Sequence, residues 1–132
     1  MVLWKIREAE YGIFAIGDKS ECAVADFLVK LANDDMAEFA KIQARIDQTS
    51  HNGPPHNKEQ CNTLGNGNFE LKTKRVRIAC FWDEGRLIIC SHAFLKKGQK
   101  TPKCELKRLE ANKKAYLQAK DNGDIRYETQ MH

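Results

Sequence analysis

No unbroken apolar stretch opens this chain. MVLWKIREAE carries charges at Lys5, Arg7, Glu8 and Glu10, so it lacks the run that a signal peptide or membrane span requires, and no membrane association is expected. CxxC pairs are absent as well. The five cysteines (Cys22, Cys61, Cys80, Cys90, Cys104) are odd in number, and several fall in apolar strand or helix contexts, where a free thiol behaves as a small hydrophobe. Reduced thiols and a cytoplasmic location are the expectation. Zinc spacing is missing too: Cys61, Cys90, His56 and His92 fit no recognisable ligand pattern, so neither a metal nor a cofactor is expected. With 132 residues, 42% of them hydrophobic, the chain suffices for one packed core and is short for two.

What is present is an uneven charge. The formal net charge is only +4, yet residues 1–50 carry 6 Lys/Arg against 9 Asp/Glu, whereas residues 70–120 carry 14 against 5. A polyanion would bind the second half. The competing reading is that these lysines solvate a helix and a sheet edge.

Periodicity sets the elements. Trp4 to Gly17 is β-branched and aromatic, broken at Glu10-Tyr11-Gly12, and reads as one or two short strands. Val24, Phe27, Leu28 and Leu31 then fall on one helical face, with Ser20 as the expected cap and an end near Asn33. A second helix is expected from Asp35, with Glu38 as its capping-box partner and Met36, Phe39, Ala40 and Ile46 along its stripe. The two form a helical hairpin. Residues 50–68 are rich in Gly, Pro and Asn and read as a long loop ending in a turn at Gly65-Asn66-Gly67, and a loop of this length invites a functional role. Strands at Phe69–Thr73, Arg75–Trp82 and Arg86–Phe94 follow, the last two joined by a tight turn at Asp83-Glu84-Gly85. Thr101 and Pro102 mark the start of a last helix with Leu106, Leu109, Lys113, Tyr116 and Leu117 on its inner stripe. The expected plan is one domain over residues 1–120 and a polar tail, open to disorder, over 121–132.

The segment FELKTKRVRIACFWDEGRLIICSHAFLKKGQKTP, residues 69–102, concentrates the cations. Strand alternation would bury Leu71, Val76 and Ile78 on one face and display Lys72, Arg75 and Arg77 on the other. Such a face suits phosphate, so RNA or DNA is the first partner to consider.

Three local signatures, CAVADFLVKL, GPPH followed by LGNGNFELK, and RIACFWDEGRLIICSHAFLKKGQKTP, resemble the RelE/ParE superfamily of bacterial toxins, in particular its HigB-like, phage-derived branch. The resemblance runs from Trp4 to Leu117. It implies an α+β, two-layer RelE-like fold: an antiparallel sheet with an N-terminal helical hairpin and a C-terminal helix. It also implies a type II toxin that cuts messenger RNA on the ribosome and is neutralised by a cognate antitoxin, expected to be of helix-turn-helix type. Such cleavage uses the RNA's own 2′-hydroxyl, so the protein must align it, move its proton and stabilise the charged phosphorane. Guanidinium forks suit phosphate oxygens, and a lysine crowded by other cations acquires a lowered pKa.

Carried over by motif, Arg77 is the expected transition-state stabiliser, with an ion pair to Glu70 or Asp83 as the competing reading. Lys72 stands where the family's motif usually has arginine. Lys96 and Lys97 precede the last helix, whose free N–H groups also favour an anion. Lys96 is assigned with Arg77, Lys72 and His92 to catalysis, and Arg75, Lys74, Lys97, Lys100 and Lys103 to RNA binding. His92 suits proton transfer because an ordinary imidazole titrates near pH ~6.5, but alternation puts it with Ile88, Cys90 and Phe94, so a buried, satisfied histidine is the competing reading. His51 and His56, in the Gly/Pro loop, could reach an active-site mouth, with ordinary surface loop histidines as the competing reading. The chain departs from the family pattern at Cys80, where many relatives have an aromatic residue, and no tyrosine or aspartate follows the final strand as proton donor. Tyr127 or His132 in the tail are the substitutes considered. A binding protein of this fold that no longer cuts is the alternative function.

Overall fold

Strand-forming and amphipathic segments follow one another as β1 (Val2–Glu8), β2 (Gly12–Gly17), α1 (Ala23–Asp34), α2 (Met36–Asn52), β3 (Cys61–Gly65), β4 (Asn68–Lys72), β5 (Val76–Trp82), β6 (Leu87–Leu95), α3 (Lys103–Asp121) and β7 (Arg126–Glu128). This is a computed structural model, and it describes residues 1–129. Among them the strands form one sheet in the order β3-β4-β5-β6-β2-β1-β7.

The expected antiparallel sheet is instead mixed. β2 runs parallel to β6, and β1 parallel to β7, while the remaining neighbours are antiparallel. A parallel pair needs a long crossover, and the two helices with the β3–β5 region between β2 and β6 supply it. The helical hairpin is therefore not N-terminal, because a β-hairpin precedes it and completes the sheet. The fold also has three layers rather than two. α1 and α2 cover one face, with Val24, Leu28, Leu31, Ile42 and Ile46 packed on Ile13, Leu71, Ile78 and Ile88. On the other face, Leu109 and Tyr116 of α3 pack on Phe81, Ile89 and Phe94. Both faces of β5 and β6 are apolar, so both need a cover.

Local chemistry explains the element ends. Asp35 alone separates α1 from α2, and its carboxylate accepts the Glu38 backbone N–H at 3.2 Å, as a side-chain cap should. The reciprocal half of the expected box does not form, since the Glu38 carboxylate turns inward to accept from Thr73 Oγ1 at 2.9 Å. Ser20 does not cap α1; its N–H donates to Asp18 Oδ1 in the preceding turn, and Cys22 takes the cap position without a side-chain bond. The expected loop 50–68 contains β3, and the β3–β4 turn places Gly65, Asn66 and Gly67 all at positive φ, where glycine and asparagine are tolerated.

A β-bulge sits in β6. Ala79 pairs with His92 but Cys80 pairs with Cys90, leaving Ser91 as the extra residue and reversing the alternation beyond it. All five cysteines are unpaired, and the facing Cys80 and Cys90 thiols lie 3.6 Å apart in the core.

Candidate functional site

The turn between β4 and β5 is held from both faces of the sheet. From the α3 side, Arg77 Nη1 donates to the carbonyls of Thr73 at 2.5 Å and Val76 at 3.0 Å. From the other side, Arg45 on α2 donates through Nε to the Lys72 carbonyl at 2.9 Å and through Nη1 to Gln48 Oε1 at 3.0 Å. Thr73 closes the turn by accepting the Val76 N–H on its hydroxyl while donating to Glu38. The hydroxyl of Thr73 thus serves one donor and one acceptor, which leaves this buried polar side chain satisfied.

Around this turn lies an open groove of about 590 Å³ lined by Arg45, Lys72, Lys74, Arg77 and Lys96, with Glu59 as the acidic residue of its wall. Two lysines supply its exposed charge, Lys74 at the turn and Lys96 just after β6. Lys72 is half-buried, and its Nζ donates to the Lys58 carbonyl at 2.9 Å. Arg77 is only 7% exposed, not the surface residue that simple alternation displays. Burial lowers its pKa, opposed by the Glu70 carboxylate at 3.9 Å, and a guanidinium so placed still keeps its charge.

Behind Arg77 the segment 96–102 closes over Glu70, which is 3% exposed and accepts from Thr101 Oγ1 at 3.1 and 3.0 Å on its two oxygens. Thr101 therefore anchors the start of α3 to β4 rather than capping the helix. Lys97 and Lys100 are exposed along this segment and Lys103 on the first turn of α3. They extend the cationic surface from the groove onto the helix.

The remaining candidates lie elsewhere. Arg75 pairs with Asp35 at the α1–α2 junction and lines a separate cleft with Phe27 and Leu95, so it does not share the groove with Arg77. The bulge at Ser91 puts His92 on the α3 face, with Phe94 but apart from Ile88 and Cys90. There it is fully buried. Asn112 Nδ2 donates to Ser91 Oγ at 2.7 Å, and Ser91 Oγ lies 2.8 Å from His92 Nδ1. The Ser91 hydroxyl thus links Asn112 to the imidazole, and the tautomer of the ring sets the direction of the second bond. Nε2 faces Glu105 Oε1 at 3.3 Å without the alignment of a hydrogen bond. Burial and the nearby Arg108 push the imidazole pKa down against the pull of Glu105. A neutral histidine under α3 results.

His51 pairs with Asp47 across 3.6 Å on α2, and His56 lines a different cleft with Tyr11, Phe69 and Trp82. Asp83, the other partner considered for Arg77, is engaged by Tyr116 and Lys120. Tyr127 lies on β7, four strands from β5 and so about 19 Å away, packed edge-on to Phe14. His132 lies outside the described residues. Cys61 and His56 are not brought to Cys90 and His92, and among the described residues no group of three metal-ligating side chains forms.

Arg45, Glu70 and Thr101 are the members of this constellation that sequence reasoning did not assign to it. Glu70 was visible as a β4 partner for Arg77, but a lone arginine on the polar face of α2 and a threonine before a proline carry no local signal of convergence. Residues 26–114, which include most of α1, all of α2, the groove and most of α3, match the family model described as "Phage derived protein Gp49-like (DUF891)". No curated protein matches the chain.

Proposed function

Since this chain belongs to the Gp49-like family of phage-derived proteins, a family of the RelE/ParE-like toxin superfamily, we propose that it is a HigB-like toxin of a type II toxin-antitoxin pair that cuts messenger RNA on the ribosome. The observation that carries this reading is the placement of the Arg77 guanidinium at the wall of an open groove whose other cations are Arg45, Lys72, Lys74 and Lys96. Its hydrogen bonds to two carbonyls fix its orientation before substrate arrives, and preorganised charge is the most effective kind for a developing phosphorane. In this reading the RNA's 2′-hydroxyl attacks phosphorus and passes its proton to solvent water in the open groove, the O2′–P bond forms, and the bond from phosphorus to the 5′-oxygen breaks. Arg77 balances the charge on the equatorial oxygens, Lys72 holds the backbone, and Lys96 at the mouth gives a proton to the departing oxygen.

A reconstituted translation reaction followed by primer extension tests the reading. Wild-type protein should leave a defined cut in the message, and Arg77→Gln should lower the cleavage rate by about 10²-fold or more. Intact message at stoichiometric protein would refute it.

The burial of His92 favours a second reading, a partner-binding protein of the same fold that does not cut, because the groove then holds no imidazole. Growth arrest on expression with messages left intact would mark that outcome. Either reading carries the proposal of a cognate antitoxin whose acidic or amphipathic segment masks the groove; co-purification with the product of an adjacent helix-turn-helix gene tests it.

A further inference from the structure

We propose that Arg45 forms a second phosphate subsite, on the α2 side of the groove, that holds a backbone phosphate next to the one gripped by Arg77. The inference rests on the groove being an RNA site, and it assigns a role to a helix that the proposed chemistry does not otherwise use.

Four observations carry it. Arg45 lines the same groove as Arg77, Lys72 and Lys96, though it comes from the opposite layer of the fold. Its guanidinium is fixed, with Nε on the Lys72 carbonyl and Nη1 on Gln48. It has no carboxylate within ion-pair distance among the described residues, unlike Arg7, Arg75 and Arg86, which each pair with an acid. Partial burial lowers its pKa, which is the signature of a cation withdrawn from water rather than one extended into it.

The two anchors are adjacent in the chain. Arg45 and Arg77 are anchored to the carbonyls of Lys72 and Thr73, consecutive residues whose Cα atoms are about 3.8 Å apart. Two fixed guanidiniums on either side of one turn can therefore address neighbouring phosphates of a single strand, with Lys74 at the exposed turn between them. A planar fork specifies direction as well as charge. Arg45 would thus orient the strand so that the correct phosphate meets Arg77.

The test uses the full chain and a fluorescein-labelled single-stranded RNA decamer, with affinity measured by anisotropy from 50 to 200 mM salt. Each phosphate contact contributes a slope of about 0.7 in log affinity against log salt for a single strand. Arg45→Gln should flatten the slope by about that amount, and Arg45→Lys should keep the slope while weakening binding, because charge is retained and the fork is lost. A melting curve on each variant reports loss of the bond to Lys72. An unchanged slope in Arg45→Gln, with or without a lower melting temperature, overturns the subsite and leaves Arg45 as a brace for the turn. Absence of any binding by wild-type protein at 50 mM salt overturns it as well. Binding with the expected slope change but no cleavage on the ribosome supports the subsite and refutes the nuclease reading.

Discussion

Arg77 braces a turn and lines a groove with the same side chain. Its two carbonyl acceptors and the adjacent Glu70 make it part of the β4–β5 turn, while its position on the groove offers its charge to a ligand. Lysine cannot reproduce two directed bonds from one planar group. Arg77→Lys should therefore lose cleavage nearly as fully as Arg77→Gln and also lose about 1–3 kcal/mol of stability, measured by urea denaturation, because buried carbonyls lose their donors. His92 makes a different prediction. Burial and Arg108 hold its folded pKa below the unfolded value, with Glu105 pulling the other way. Below the unfolded pKa of about 6.5 the unfolded chain takes up the proton more readily, so stability is full above that pH and is lost as pH falls through it towards the lower folded pKa. Melting temperatures measured between about pH 7.5 and 5.5 should fall with acidification, and His92→Gln should flatten that dependence.

At the scale of elements, α3 is pinned to the sheet at both ends: Thr101 bonds Glu70 before its first turn, and Tyr116 and Lys120 engage Asp83 near its last. Tyr116 is buried against Phe81. Tyr116→Phe keeps that packing and removes the bond to Asp83, so it should cost about 1–2 kcal/mol in chemical denaturation while leaving RNA affinity unchanged. A large loss of affinity would show instead that α3 shifts when the far pin is removed.

These elements also show what a sequence exposes and what it hides. The helices were legible from the spacing of Val24, Leu28 and Leu31 and of Leu109 and Tyr116, and β4 to β6 from alternation and the turn at Asp83-Glu84-Gly85. All of these signals act between near neighbours in the chain. β3 was missed because CNTLG has little apolar alternation and its pairing partner supplies its stability. The bulge at Ser91 was missed because no glycine marks it, and that one residue moved His92 to the other face of the sheet. The parallel contact of β2 with β6 has no local signature at all. At the site, the charges of Lys72, Lys96 and Arg77 were legible; the burial of Arg77 and the arrival of Arg45 from α2 depend on how layers meet.

For the molecule as a whole, charge is partitioned with the fold. The excess of cations in residues 70–120 lies on the groove, the segment after β6 and α3, whereas the acidic excess of residues 1–50 lies in the opposite layer and the first two strands. Long-range attraction should then depend on Lys97, Lys100 and Lys103, which are exposed on the segment after β6 and the first turn of α3 and do not line the groove. Replacing all three by glutamine should flatten the salt dependence of RNA affinity by a slope of about 2, if each contacts one phosphate, with little change in melting temperature. An unchanged slope would place the RNA path away from α3.

The parallel pairing of β2 with β6, in which Ala15 meets Cys90, also fixes an order of events during synthesis. The meander from β4 to β6 assembles from segments adjacent in the chain, but the first hairpin, although made first, has no neighbour on its β2 side until β6 emerges. Non-local pairings of this kind are slow to form. A nascent chain halted before β6 would carry an unsatisfied strand edge flanked by Ile13 and Phe14, a surface open to chaperones or to aggregation, so β6 joins the first hairpin to the meander just before Lys96 is added to the groove.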